Sequence, residues 1–291
     1  MTKKNKVIAV VGATASGKTV YSIELAKKIG GEIISADSRL VYKGFDIGTA
    51  KPTIEERQNI PHYLIDIVEP EVDFSVALWA EEAEKKIEDI LERGKTPIIV
   101  GGTGLYFRIL LENYDLPKVA PNYELREELK SYDFEILLER LRKNDAETAE
   151  KIHLNDKKKL IRAIEIVETL KSPLAQVRGI KSDCKYNVEW HGQNFERAEL
   201  YDRINKRVDL MVENGLIDEV ENLLKKHGRI SNLTDTIGYR EILEFLDGKV
   251  DLETAKDTLK QNTRHYAKRQ LTWFRRNENI QWNIEPEKLR K

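Results

Sequence analysis

The chain is poor in cysteine: a single one, Cys184, in 291 residues excludes an intramolecular disulfide and any cysteine-rich zinc site. It has no apolar run near the eighteen or so residues of a membrane span. Its basic start, MTKKNK, leads into a short strand and a glycine rather than a signal-peptide core, so the expectation is a soluble, cytoplasmic protein without a membrane partner. It lacks a net charge of either sign: lysine plus arginine (49) nearly cancels aspartate plus glutamate (50), and composition alone predicts no nucleic-acid partner. There is no internal repeat and no low-complexity linker. What remains is a chain with ample apolar content for one large core and a smaller domain.

The charges that cancel in sum are unevenly spread. Residues 81 to 92 carry Glu81, Glu82, Glu84, Glu88, Asp89 and Glu92, whereas residues 264 to 276 carry Arg264, Lys268, Arg269, Arg275 and Arg276 with no acid among them. This predicts an acidic back and a basic working face. The strongest local signal lies near the start, where Gly12, Ala13, Thr14, Ala15, Ser16, Gly17, Lys18 and Thr19 spell GATASGKT. The apolar run Val7 to Val11 precedes it, and helical spacing of Tyr21, Ile23, Leu25 and Ile29 follows. This is a phosphate-binding loop, or P-loop. Its glycines let backbone N–H groups turn inward on a polyphosphate, Lys18 adds a point charge, and Thr19 offers a hydroxyl to a phosphate-bound Mg2+.

The rest of the amino-terminal part alternates strand and helix. Gly30 and Gly31 close the first helix, and Glu32 to Asp37 reads as a buried strand with an acid at its carboxyl end. Tyr63 to Val68 is a third short apolar run, a helix spans Ser75 to Gly94, and Thr96 to Val100 is a strand ending in GGTG. Strands vanish from about Pro121 to Leu170, where charged segments carry helical periodicity. Tyr186 to Phe195 reads as a return to the sheet, and long helices follow over Arg197 to His227 and Asp251 to Arg276. The expected fold class is α/β: a P-loop parallel-sheet core (1–120 and 184–291) with a helical insertion domain (121–183). Ligands of such sheets sit beyond the carboxyl ends of the strands, which puts Asp37 near the phosphate loop.

The chemistry is open at this level. A kinase would hold ATP on this loop and would need a strand-end acid for magnesium. The expected strand, TPIIV, ends instead in Gly101 and Gly102, so that acid is missing. Asp37 could serve the metal or act as a base, and residue patterns do not separate the two. Thr263 to Arg276, TRHYAKRQLTWFRR, combines cations with stacking rings as an RNA face would; it also fits a helix with Leu271, Trp273 and Phe274 in the core and solvated cations. Lys157, Lys158, Lys159 and Arg162 form a second cluster or a wet helix surface. Arg203 and Arg207, four apart, share a helix face and could point at a diphosphate.

GATASGKT, ADSRLVYKGFDIGTAKP (36–52), PHYLIDIVEP (61–70), VGGTGLYF (100–107), NDKKKLIRAIE (155–165), IGYRE (237–241) and TRHYAKRQLTWFR (263–275) together resemble the bacterial tRNA dimethylallyltransferases, also called tRNA isopentenyltransferases. The resemblance runs in order through nearly the whole chain. It implies transfer of a dimethylallyl group from dimethylallyl diphosphate to N6 of the adenosine immediately 3′ of the tRNA anticodon, breaking carbon–oxygen rather than phosphorus–oxygen. It implies a catalytic Asp37 that receives a hydrogen bond or proton from the N6 amine, with Arg207 stabilising the diphosphate. It further implies tRNA contacts at Asp37, Ser38, Arg39, Leu40, Thr103, Arg126, Lys158, Lys159, Leu160, Ile161 and Arg162, with Arg264, Lys268 and Arg269 on the basic helix. The target base would leave the stacked anticodon loop for the prenyl channel, and the helical insertion would grip the anticodon stem. Mg2+ is the only cofactor expected, since no Cys and His set for a carboxyl-terminal zinc finger is present. A monomer is expected. The rival readings are a P-loop phosphotransferase on a small metabolite, a nucleotide-dependent RNA-binding module, and an adenylate isopentenyltransferase using free AMP.

Overall fold

The protein is described here by a computed structural model covering residues 4–177, 179–180 and 184–283. The chain divides into two compact units, 1–111 with 184–291, and 112–183.

In the first unit the elements are β1 (Lys6–Gly12), α1 (Lys18–Ile29), β2 (Gly31–Ser35), β3 (His62–Tyr63), α2 (Val76–Glu92), β4 (Thr96–Gly101) and α3 (Gly104–Leu111). The second unit contributes β5 (Tyr114–Asp115), α4 (Tyr123–Lys130), α5 (Phe134–Arg142), α6 (Ala146–Lys151), α7 (Lys157–Leu170), α8 (Leu174–Val177) and β6 (Gly179–Ile180). The first unit then resumes with β7 (Asn187–Gln193), α9 (Arg197–Glu213), α10 (Leu216–His227), α11 (Ser231–Thr234), α12 (Tyr239–Leu246), α13 (Leu252–Phe274) and β8 (Gln281–Trp282).

Six strands form one sheet in the order β3-β2-β4-β1-β7-β8, every pairing parallel. Its buried strands alternate between two cores, as period-two side chains must. From β1, Val7, Ala9 and Val11 face a large core with Trp79 of α2 and Phe107 of α3, while Ile8 and Val10 face a smaller one with Tyr21, Ile23 and Leu25 of α1. The central place of β1 sets the phosphate loop in the middle of the sheet's carboxyl edge, with β4 on one side and β7 on the other. The second unit packs its own core from Leu129, Leu137, Leu141, Leu160, Ile164 and Val167.

Several boundaries depart from the sequence reading. The run Tyr63 to Val68 is not a strand: only His62 and Tyr63 pair with β2, and Leu64 and Asp66 take positive φ. The long helix expected over Arg197 to His227 is two helices, because Gly215 adopts φ 97° and starts a new one. Residues 112–120 belong to the helical unit rather than to the core: β5 pairs antiparallel with β6, and Val119 joins the second core. β8, an edge strand of two residues, carried no local signal.

Candidate active site

The phosphate loop leaves β1 and coils into the open end of α1. Ala15 (φ 62°) and Gly17 (φ 81°) both take left-handed conformations, which turn successive N–H groups to one side as an anion nest does. Gly17 supplies no side-chain cap to α1. The N–H groups of Ala15, Gly17, Lys18 and Thr19 have no acceptor among the described residues. They stand at the positive end of a twelve-residue helix, where an anion is favoured by the dipole and by direct hydrogen bonds.

Three cations surround this nest. Lys18 donates from Nζ to the Ala13 carbonyl at 2.6 Å. Burial pushes its ammonium down to about 8; Asp37 acts in the opposite sense, and Arg207 adds to the lowering. Arg203 and Arg207, on one face of α9, reach the loop from the far side: Arg203 Nε donates to the Ala15 carbonyl at 3.0 Å, and Arg207 Nη1 lies 3.4 Å from Thr14 Oγ1. The Arg203 guanidinium also stacks over Phe195, 4.2 Å from the ring centre. Arg207 is held below its usual range by burial first and by Arg203 second. Among the described residues none of these three cations has a carboxylate within ion-pair distance. Such a group of unneutralised charge is costly unless an anion completes it.

Asp37 follows β2 by two residues, so the sheet delivers it to the same edge. One oxygen, Oδ1, accepts the Arg39 N–H at 2.8 Å, an Asx turn that fixes the carboxylate's direction. Asp37 lies within electrostatic reach of Lys18, Tyr106 and Tyr266. Thr103 closes this side of the site: its N–H donates to the Ala36 carbonyl at 3.3 Å and its Oγ1 accepts the Ser38 N–H at 3.2 Å. Glycines are required beside it. A Cβ on Gly101 would stand 2.1 Å from the Ala36 carbonyl oxygen, one on Gly102 would stand 2.0 Å from Gln270 Nε2, and one on Gly104 would stand 2.1 Å from Trp273. The acid a nucleotide hydrolase would place at the end of β4 is therefore excluded by packing as well as missing from the sequence.

The segments around Asp37 are clipped together by buried polar groups. Lys51 bonds Asp46 at 2.6 Å, Asp66, and the Tyr42 carbonyl at 3.0 Å, joining the 36–52 and 61–70 motifs. Glu219 of α10 accepts the N–H groups of Asp46, Ile47 and Gly48 at 3.2, 2.7 and 2.9 Å, and the Tyr239 hydroxyl at 2.8 Å. Neither Glu219 nor Gln270 stood out in the sequence. A single polar residue on an amphipathic helix has no local pattern, and only the tertiary fold shows what it faces.

The other expected contact residues divide. Arg39 is partly buried with Nη1 3.4 Å from Asn232 Oδ1, and Leu40 is partly buried beside it. On α13, Lys268 and Arg269 are exposed, Arg269 lying 5.9 Å from the Tyr266 ring centre, while Arg264 bonds Asn205 Oδ1 at 2.7 Å. Along and just past this helix Phe274 is core and Leu271 is partly buried, whereas His265, Lys268, Arg269, Thr272, the partly buried Trp273 and Arg276 line an open groove of about 480 Å³. In the helical unit Leu160 and Ile161 are corrected. Their side chains, 0% and 6% exposed, form the core of α7 and offer no surface to an RNA. Arg126 and Arg162 are largely committed to the fully buried Glu165: Arg126 makes a two-bond fork at 3.0 and 2.9 Å, and Arg162 pairs with Oε2 and donates to the Val119 carbonyl at 2.8 Å. Lys158 and Lys159 are exposed at the start of α7, and Asp156 caps that helix on the Lys159 N–H.

For magnesium, the described residues hold no group of three or more His, Cys, Asp or Glu side chains arranged as ligands. Thr19, exposed in the first turn of α1, is the hydroxyl on offer. No described helix is long and apolar enough to cross a membrane.

Comparison with known proteins identifies the family. The chain is 47% identical over 285 residues to a tRNA dimethylallyltransferase of Acetivibrio thermocellus, covering 96% of this chain and 91% of that one. Its structure is similar to that of a full-length tRNA isopentenylpyrophosphate transferase from Bacillus halodurans, with 45% identity, coverage of 98% and 93%, and a TM-score of 0.73. It is also similar to a eukaryotic dimethylallyltransferase acting on tRNA, with 31% identity, coverage of 93% and 70%, and a TM-score of 0.77. Residues 40–277 match the family described as IPP transferase, and the chain belongs to that family.

Proposed function

We propose that this protein transfers a dimethylallyl group from dimethylallyl diphosphate to N6 of the adenosine 3′-adjacent to the anticodon of tRNA, releasing diphosphate. One observation carries the reading: an anion nest ringed by Lys18, Arg203 and Arg207 without carboxylate partners, facing a strand-end carboxylate, Asp37, that is fixed by the Arg39 N–H. As the allylic carbon leaves, charge grows on the diphosphate oxygen. Loop N–H groups and the three cations meet that charge where it develops, so they stabilise the transition state more than the ground state. Magnesium, held by Thr19 together with phosphate oxygens, would add to the neutralisation of the leaving group.

An amine conjugated with adenine is a weak nucleophile. Asp37 accepts a hydrogen bond from N6 and takes its proton as the new carbon–nitrogen bond forms, while Thr103 holds the Asp37 loop. The cations and rings exposed on α13 suit an RNA backbone and unstacked bases, and phosphate contacts there offset the few kcal/mol of base extrusion. Monomeric action is part of the proposal.

The test is incubation of the purified protein with magnesium, unmodified tRNA and radiolabelled dimethylallyl diphosphate, with ATP in a parallel tube, followed by nucleoside analysis. Label is expected in N6-prenylated adenosine beside the anticodon without ATP. Equal transfer to free AMP, or ATP hydrolysis without transfer, refutes the reading. Asp37→Ala is expected to lower kcat with little change in diphosphate affinity, whereas Lys18→Ala impairs both.

A further inference from the structure

We infer that Gln270 is a positioning residue for the transfer, one side-chain amide of α13 that fixes the phosphate loop and the Gly101–Gly104 loop at a set separation; this rests on the reading above. Its Oε1 accepts the Thr14 N–H at 2.8 Å, and its Nε2 donates to the Gly102 carbonyl at 3.0 Å. The orientation of the amide is unambiguous, because an N–H can only donate and a carbonyl can only accept. The side chain is buried, and both its ends are satisfied by backbone. Among the described residues it is the one side chain that hydrogen-bonds both loops.

The two loops hold the two halves of the reaction. Residues 12–19 would carry the diphosphate, and so the allylic carbon. The other loop continues from Gly102 into Thr103, whose Oγ1 and N–H hold Ser38 and Ala36 on either side of Asp37. A short chain of bonds therefore runs from the diphosphate cradle through Gln270 to the carboxylate that would orient the amine. Gln270 is rigidly seated: Ala267 and Phe274, one turn to either side, are fully or almost fully buried. Tyr266 meets Thr103 and Trp273 covers Gly104, so positions 266, 270 and 273 form one face pressed on this loop. Because the Thr14 N–H points at Gln270, neither group is a phosphate ligand. Removing the amide leaves the anion contacts in place and loosens the distance between carbon and amine, and a misplacement of about 1 Å costs on the order of 100-fold in rate.

The test compares the wild-type protein with Gln270→Met, which keeps the length and loses both bonds, and with Gly102→Ala, which disturbs the same contact from the loop side. The single-turnover rate constant is measured with enzyme in saturating excess over the tRNA and dimethylallyl diphosphate saturating, so that it does not depend on the fraction of protein folded. Binding of inorganic pyrophosphate with magnesium is measured by calorimetry. Both variants are expected to lose roughly 100-fold in the rate constant while the pyrophosphate Kd stays within about threefold. A merely structural role would lower the fraction of protein that binds pyrophosphate and leave the rate constant unchanged, which overturns the inference. A Kd weakened in proportion to the rate also overturns it, since Gln270 would then act in binding. Wild-type protein that transfers no prenyl group overturns the parent reading instead.

Discussion

Lys18 makes diphosphate binding sensitive to pH in a direction its chemistry fixes. Its folded-state pKa of about 8 means that in the empty site about nine-tenths of the protein carries the ammonium at pH 7 and about one-tenth at pH 9. Burial lowers the value, and a bound diphosphate, adding negative charge beside Nζ, raises it again. Affinity for the anion is therefore full below pH 8 and falls as pH rises through it, approaching a tenfold loss per unit of pH at the high end, or about 1.4 kcal/mol. At pH 9 binding takes up at most about 0.9 proton. Titration calorimetry with inorganic pyrophosphate and fixed magnesium, in buffer pairs of different ionisation enthalpy, reads both quantities. The pyrophosphate ligand titrates too, so Lys18→Met is the reference: its curve retains only the ligand's own dependence, and the wild-type curve should converge on it above pH 9. Parallel curves, or no proton uptake beyond that of the variant, would refute the argument that a partly buried, titrating lysine holds the anion.

Glu165→Gln leaves Arg126 and Arg162 without their shared carboxylate partner in the helical unit and should destabilise that unit by about 3–5 kcal/mol, read as a lower Tm. In the wild type, burial tends to raise the Glu165 carboxyl, but bonds from Arg126 and Arg162 outweigh it and hold it below the usual range. Its stabilising contribution is therefore present above the unfolded value near 4.5 and lost as pH falls through the lower folded one, visible as acid-sensitive helicity that Glu165→Gln lacks. Leu160→Ala should cost about 2–5 kcal/mol by opening a cavity in the α7 core, and an unchanged melting curve would return Leu160 to the surface. Gly101→Ala forces its Cβ onto the Ala36 carbonyl and should lower stability by about 1–3 kcal/mol, measured by denaturant unfolding.

The local parts of this fold were readable because local chemistry sets them. GATASGKT between an apolar strand and a periodic helix, Gly30 as a left-handed helix end, and Ser75 and Asp251 as helix caps all behave as their residue types require. Asp37 was placed by topology, since a parallel sheet brings strand ends to one edge. What the sequence did not reveal depends on partners far away. The charge on Arg126 reads as surface until Glu165, 39 residues on, is found buried beneath it. Leu160 and Ile161 sit within a lysine cluster, and proximity in sequence hid their opposite direction in the helix. The break at Gly215 was masked by apolar periodicity that continues on both sides of it.

The phosphate loop is contiguous in sequence but is completed by residues made much later. A Cβ on Gly12 would lie 2.3 Å from the Gln193 carbonyl of β7, and the Thr14 N–H is bound 256 residues further on by Gln270. During synthesis β1, α1, β2 and β4 emerge first and can pair among themselves, yet the cradle they carry lacks one flanking strand, both arginines and its amide brace. Closing contacts of such long range is slow and comes late in folding. A nascent or truncated chain ending before β7 would thus display the most readable motif in the sequence without a finished anion site. Capacity to hold the leaving group arrives with the arginines of α9, and the amide brace that sets its distance from Asp37 follows with the basic helix that would meet the RNA.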